Sequence, residues 1–278
     1  MDRRTQLALN RINARFYQRQ AEHFSATRSR PWPGWRTLLE RWWLPEPPIA
    51  EASVLDVGCG NGRFVEAVGQ SLAGSSEPLD WSYRGLDAST ELLDHARRRL
   101  QALASGPRWS LGRWDLVTAA WPGAMLTPPA GMGGWSAGPD RRQYSLVVAF
   151  GLLHHVPGFE LRRRLLACLG RRVAPGGTLA VSFWCFGELQ RFQRRRVPWS
   201  ELSQEHSLGP ASTDSLEEGD WLLRWGDGDA LRYCHAASAA EIDALAAAPG
   251  LPLCDDFRAD GAGGILNRYL VWRRASVG

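Results

Sequence analysis

The stretch VLDVGCGNG, Val54 to Gly62, decides how the rest of the chain is read. An apolar run ends in an acid, Asp56. Gly58, Gly60 and Gly62 follow at alternate positions, and a helical pattern, RFVEAVGQSL, begins at once. Glycines allow a tight turn and let backbone come close to a ligand. A strand-loop-helix of this kind places its loop in the crevice at the carboxyl ends of parallel strands, where such sheets bind cofactors. The dinucleotide fingerprint also opens strand-Gly-x-Gly. Here the acid precedes the first glycine and the spacing is G-x-G-x-G. The alternative is a glycine turn with a purely structural role.

Working outward, SYRGLDAS reads as a second strand ending in Asp87, where a carboxylate can accept both hydroxyls of a ribose. Ser89 is placed to cap the helix that follows. RWSLGRWDL reads as a third strand ending in Asp115, between Trp114 and Leu116. That arrangement suits an adenine, with the acid accepting the exocyclic amine and apolar neighbours sandwiching the ring. YSLVVAFGLLHHV is nearly all apolar, as expected of a parallel strand buried on both faces. A helix, PGFELRRRLLACLGRRV, and a glycine turn feeding a fifth strand, APGGTLAVSFW, come next. Strands alternating with helices predict a doubly wound α/β sheet with right-handed crossovers.

The ends of the chain are less regular. Thr5 to Phe24 reads as a helix, with Leu9, Ile12, Phe16 and Ala21 on one face. Pro31 and Pro33 break it, and a short helix, Trp35 to Trp43, follows. Trp121 to Gln143 is a Gly- and Pro-rich loop, and residues 186–230 form an insertion carrying RRR and VPW. LRYCHAAS then reads as the sheet resuming, SAAE (Ser238 to Glu241) as a capping box, and NRYLVWRR as the last strand. The expected organisation is a helical lid and substrate segment at 1–50 and a catalytic domain at 51–278.

With 278 residues and 44% apolar content, the chain has the composition of a folded globular protein. No apolar run is long enough to span a bilayer and no signal-peptide pattern opens the sequence, so the expected location is the cytoplasm, with no membrane role. Five scattered cysteines form no CxxC pair, which gives no reason to expect a disulfide framework or a bound metal. The net charge of +4 permits an anionic partner without demanding one. The charge is built entirely from arginine, with no lysine. Any single arginine run is read first as a solvated helix face, although arginine forks suit phosphate and carboxylate.

The order of these motifs resembles the class I S-adenosylmethionine-dependent methyltransferases, over roughly Ser53 to Trp184 and the closing strands. The resemblance implies a Rossmann-like sheet of seven strands, the last antiparallel, and S-adenosylmethionine as cofactor. It implies a cofactor set of Tyr17, Asp56, Gly58, Gly60, Gly62, Asp87, Ala88, Asp115, Leu116 and Phe150. His154 and His155 end the fourth strand, which in this fold faces the reactive methyl. One of the two histidines can instead cap the following helix or face the core. No [DN]-P-P-[YF] device for amine acceptors is present, so an oxygen acceptor is expected.

A second resemblance lies in FYQRQAEHFSATRSRPWP, Phe16 to Pro33. It is similar to the N-terminal segment of the tRNA methyltransferases that esterify a carboxymethyl group on the wobble uridine. The matching residues are Tyr17, Ala21, His23 to Ser25, Thr27-Arg28, Arg30 and Pro31-Trp32-Pro33. VPW (Val197 to Trp199) and RYCH (Arg232 to His235) resemble that family's substrate-side segments, with Cys234 where the family has an aromatic residue. The resemblance implies catalytic roles for Arg28 and His155, and acceptor contacts from Arg28, Arg30, Trp32, His154, His155, Arg232 and His235. It implies a tRNA anticodon loop as partner and, in some relatives, a small zinc-ribbon activator subunit. The competing expectation is a small-molecule O-methyltransferase acting on a carboxylate or hydroxyl. For Trp32 the alternative to base stacking is a stiff apolar hook that packs the N-terminal helix onto the sheet.

Overall fold

Strand β4 (Tyr144–Ala149) is buried at every position and sends alternate side chains into two different cores. From Leu146 onward the faces alternate, Val147 and Ala149 toward one cluster, Leu146 and Val148 toward the other, after a register shift that turns Tyr144 to the first. This two-residue period, buried on both sides, is what a central strand of an α/β sheet requires. The computed structural model describes residues 1–28, 30–43, 52–73, 80–103, 106–118, 142–202, 213–226 and 228–276. The loop expected at Trp121 to Gln143 lies outside the described residues except for its last two.

The main sheet has seven strands in the order β3-β2-β1-β4-β5-β10-β9. Strands β1 (Ala52–Val57), β2 (Trp81–Asp87), β3 (Arg108–Arg113), β4 and β5 (Val173–Trp184) pair in parallel. Strand β10 (Asn267–Arg273) runs antiparallel to both β5 and β9 (Leu253–Ala259). Helices α3 (Phe64–Ala73), α4 (Thr90–Gln101), α5 (Phe159–Gly170) and α7 (Ala239–Leu245) connect the strands. Ser89 and Ser238 cap α4 and α7 as expected, accepting from Leu92 N and Glu241 N. The fold is the seven-stranded, mostly parallel Rossmann-like sheet.

One strand assignment changes. Leu231–His235 (β8) does not rejoin the main sheet. It forms a separate antiparallel sheet with β6 (Arg196–Val197) and β7 (Asp220–Arg224), so the insertion expected at 186–230, which includes the short helix α6 (Gln190–Gln193), runs on through His235. The position expected for it in the main sheet is taken by β9.

Helix α1 (Arg3–Ala26) lies across this small sheet: Ala8, Leu9 and Ile12 pack with Val197, Leu222 and Tyr233. Leu9, Ile12 and Phe16 are all at most 3% exposed. Burying one such side chain stabilises by about 1.5–3 kcal/mol, so this face, rather than any single polar bond, holds α1 down. Helix α2 (Pro33–Trp42) begins with Pro33 at its first turn, where a missing N–H costs nothing.

Candidate active site

The carboxyl ends of β1, β2, β4 and β5, together with α1 and the small sheet, enclose a cavity of about 1350 Å³. That exceeds the roughly 300–1,000 Å³ of a pocket for one small ligand and leaves room for two.

The glycine loop forms one end. Gly58, Gly60 and Gly62 have φ of +76°, +54° and +76°, the left-handed region that glycine alone adopts freely. The loop is pinned to β2, since Gly58 N and Cys59 N donate to Leu86 O at 2.8 and 3.0 Å. A side chain on Gly62 would crowd Ala96 of α4, whereas one on Gly60 would meet nothing within 4 Å. Asp87 is aimed by backbone: Oδ2 accepts from Gly60 N (2.8 Å) and Oδ1 from Ser89 N (2.9 Å). An ionised carboxylate offers about four acceptor positions, so two remain for ligand hydroxyls. Burial raises the Asp87 pKa. It also pushes Asp56 up to about 7, offset in part by the Tyr83 hydroxyl (2.7 Å) and reinforced by the charge of Asp87. Ala88, Asp115 and Leu116 line the same end. Asp115 is partly engaged already: Oδ2 accepts from Asn10 Nδ2 of α1 (2.9 Å) and Oδ1 from Val117 N (3.0 Å). An open backbone cradle with acids at three successive strand ends fits a nucleoside-bearing cofactor with cationic groups.

Phe150, at the end of β4, borders the cavity within a ring cluster of Trp35, Phe64 and Tyr269. Trp32 is half-buried, 5.0 Å from the Trp35 ring, and its edge lies where a side chain on Gly151 would stand. This is the apolar hook, with one side left on the cavity wall. Arg30 is exposed at the rim, and its carbonyl accepts from Arg63 Nη1 (2.9 Å).

The other end carries the expected acceptor residues. His155 is spoken for on both nitrogens. Nε2 lies 2.8 Å from the Tyr17 hydroxyl, while Nδ1 is 3.0 Å from Tyr233 O and 3.2 Å from Asn13 Nδ2. A carbonyl can only accept, so the shorter contact assigns the proton to Nδ1 and makes Tyr17 the donor to Nε2. Burial, helped by Arg232, lowers His155 to about 3, and burial raises Tyr17 to about 12. Neither group is a general base near neutral pH. His154 is held neutral by burial; its ring lies 4.1 Å from that of His155 and 4.9 Å from Trp184.

Arg28 and Arg232 both lie over the Trp225 ring, at 4.6 and 4.7 Å. Arg28 also covers Phe24 and donates to Thr27 Oγ1. Arg232 is 6% exposed and covers Trp184. Neither arginine pairs with an acidic side chain among the described residues. Burial, then the charge of Arg232, pushes Arg28 down to about 10.

His235 is a correction. It does not line the cavity. On β8, Arg232 and Cys234 face one way and Tyr233 and His235 the other, as the strand period demands. His235 is 2% exposed and sits between Asp220 Oδ1 and Glu241 Oε2, each at 2.7 Å. It belongs to a buried structural network in which Arg162 bonds Glu217 and Glu241. Two residues with cavity roles, Asn61 and Arg63, escaped the sequence reading. Both stand inside the glycine loop, but their partners are more than thirty positions away.

Two clusters among the described residues have metal-ligand spacing, His154–His155–Cys234 and Glu217–Asp220–His235. In the second cluster the polar atoms are engaged by the network around His235. In the first, His155 is engaged on both nitrogens, His154 Nδ1 is buried without a partner among the described residues, and the Arg28 and Arg232 cations lie nearby.

Residues 55–179 match the family described as methyltransferase domain. A putative methyltransferase of Encephalitozoon cuniculi, ECU09_1500, is 45% identical over 222 residues, covering 80% of this chain and 78% of its own. The tRNA (carboxymethyluridine(34)-5-O)-methyltransferase ALKBH8 of Mus musculus is 27% identical; the match covers 73% of this chain but only 24% of ALKBH8. Trans-aconitate 2-methyltransferase of Streptomyces avermitilis is 30% identical over 83% of this chain and 66% of its own length. The chain therefore spans a quarter to two-thirds of these last two relatives. Among solved structures, a SAM-dependent methyltransferase from Methanosarcina mazei superposes with a TM-score of 0.55 at 16% identity, covering 83% of this chain and 95% of that one, which speaks for the fold. Fold, cofactor cradle and relatives agree: the chain belongs to the S-adenosylmethionine-dependent methyltransferase family.

Proposed function

We propose that the chain transfers the methyl group to a carboxylate oxygen on a modified wobble uridine of tRNA, forming a methyl ester. The observation that carries this reading is the pair Arg28 and Arg232. Arg162, buried in the structural network behind the cavity, is paired with two glutamates. In the cavity two arginines share one indole, Arg232 buried and Arg28 partly so, and neither has an acid partner among the described residues. Two like charges so placed are eased by an anion arriving between them, and a guanidinium fork is shaped for carboxylate.

The bound cofactor supplies an electrophilic methyl group on a sulfonium. A carboxylate is already ionised at neutral pH and needs no base to become the nucleophile. A phenol or alcohol acceptor needs one, and the two histidines, with their pKa values depressed by burial, are weak bases. What the chain contributes is orientation: one carboxylate oxygen held, the other left to attack in line.

RNA is favoured as the carrier of that carboxylate by the rim. Arg191, Arg194, Arg195 and Arg196 are exposed beside the cavity, Arg195 on its wall, and none pairs with an acid among the described residues. Of the insertion's tryptophans, Trp199 and Trp221 pack within the small-sheet cores and Trp225 lines the cavity. Supporting evidence comes from the relative ALKBH8, whose name states this chemistry.

The second reading, a small polycarboxylate as acceptor, draws on the trans-aconitate relative, for which the same arginine pair would serve. Purified protein with methyl-labelled cofactor separates the two. Label in an anticodon hairpin bearing 5-carboxymethyluridine supports the first. Label only in a tricarboxylic acid supports the second.

A further inference from the structure

Asn61 and Arg63 flank Gly62, and both reach out of the glycine loop to the segment between α1 and α2. Asn61 is 3% exposed. Its Nδ2 donates to Ser25 Oγ at 3.0 Å and to Arg28 O at 3.4 Å. Its carbonyl accepts from Arg99 Nε (3.1 Å), which ties this point of the loop to α4. Arg63 donates to Arg30 O at 2.9 Å, and its guanidinium lies 5.3 and 5.1 Å from the Trp32 and Trp35 rings.

The turn itself is made by the three glycines and needs neither side chain. Burial, then the nearby Arg99, brings Arg63 down to about 10, only partly offset by Tyr269, Asp260 and Glu66, with none of which it forms a salt bridge. A buried cation kept at such a cost is retained for what it holds, and what it holds here is the backbone of Arg30. A third link joins the two ends of the cavity: Asn10 of α1 donates to Asp115. The side-chain bonds of Asn61 and Arg63 run from the cofactor loop to Ser25, Arg28 and Arg30, and the Asn10 bond ties Asp115 to α1.

We propose that Asn61 and Arg63 are positioning residues for the acceptor. They transmit the state of the cofactor loop to the backbone of Arg28 and Arg30, so that methyl donor and acceptor clamp are set as one unit. The assignment of Arg28 to the acceptor rests on the proposed function; the transmission itself rests on the bonds just described. Linkage makes the coupling reciprocal, so bound acceptor also tightens cofactor binding by the same factor.

The test is amide hydrogen exchange in peptides spanning Ala21 to Trp35, with and without S-adenosylhomocysteine. In the wild type, the ligand slows exchange there by about tenfold or more. In Asn61→Ala/Arg63→Ala the ligand still binds but this protection is lost. Arg63→Lys, which keeps a donor but not the stacked plane, restores part of it. Unchanged exchange in the wild type overturns the proposal, as does full protection in the double variant. The first of these needs no variant to fold. A fluorescent anticodon hairpin bearing 5-carboxymethyluridine, titrated in parallel, binds the wild type more tightly with S-adenosylhomocysteine and loses that gain in the double variant. If protection in peptides 21–35 follows the ligand while no hairpin binds, the coupling stands and the RNA reading falls.

Discussion

Arg28 and Arg232 share one indole: their guanidinium carbons lie 4.6 and 4.7 Å from the centroid of the Trp225 ring. They come from opposite ends of the chain, one just past α1 and one on β8, and meet only because α1 packs on the small sheet. If the pair holds the acceptor carboxylate as proposed, losing one charged hydrogen bond costs about 1.5–3 kcal/mol, and Arg28→Ala or Arg232→Ala lowers kcat/KM by about 10- to 100-fold. Removing one of two unpaired buried charges relieves repulsion, so the melting temperature holds or rises. Steady-state kinetics and thermal melts on the same samples check both; lost activity together with lost stability would make the pair structural.

His235 behaves in the opposite way. Burial pulls its pKa down, but the bonds to Asp220 and Glu241 outweigh burial and the net shift is upward. A raised histidine contributes stability that is full below pH 6.5 and is lost as pH rises through its folded value. His235→Ala removes the donor shared by Asp220 and Glu241, which keep their bonds to Tyr233, Glu217 N and Arg162, and costs about 1–3 kcal/mol, with acceptor KM unchanged. A raised KM at unchanged stability would return His235 to the acceptor site.

Asp56 gives the cofactor end a pH signature. Its carboxyl is held up to about 7 in the fold, against 3.8 for the free group. The folded state therefore keeps a proton that the unfolded chain releases, and stability falls as pH climbs between those values. Ligand-free protein should melt higher at about pH 5.5 than at pH 8, and Asp56→Asn should flatten that difference. Cofactor, which carries cationic groups, should bind more tightly as pH rises through about 7, releasing a proton. Calorimetry in buffers of different ionisation enthalpy reads that proton; its absence would mean Asp56 is ionised throughout.

Gly34 tests the hook. Its N–H donates to Asp260 Oδ1 at 2.9 Å, and a Cβ there would overlap the Tyr269 ring. Gly34→Ala should cost about 1–3 kcal/mol by overpacking and displace α2 with Trp32, reducing turnover. Circular dichroism melts with kinetics would show this, and a variant as stable and active as wild type would mean that α2 shifts freely.

The cofactor half of the protein was legible in the sequence because its signals are local. Asp56, the three glycines, Asp87 and the apolar run of β4 each follow from a few neighbouring residues. Strand β9 was not read, because it lies at the sheet edge and carries charges at Asp255, Asp256 and Arg258 that leave no apolar run. Strand β8 was recognised as a strand but put in the wrong sheet, since alternation says that a strand has two faces and not which sheet receives it. His235 was misplaced for a related reason. A matching tetrapeptide names neighbours, but only the strand's facing separates Arg232, on the cavity, from His235, in the network behind it. Asn61 and Arg63 carry no local mark, because their meaning lies in contacts with a segment more than thirty residues earlier.

The central claim is that the carboxylate on the wobble uridine is the methyl acceptor. Mass spectrometry of tRNA nucleosides from cells lacking this gene tests it most directly. The account predicts that the methyl ester of the wobble nucleoside disappears and the free carboxylate accumulates, with both restored by the wild-type gene and not by Arg232→Ala. An unchanged nucleoside profile would contradict it.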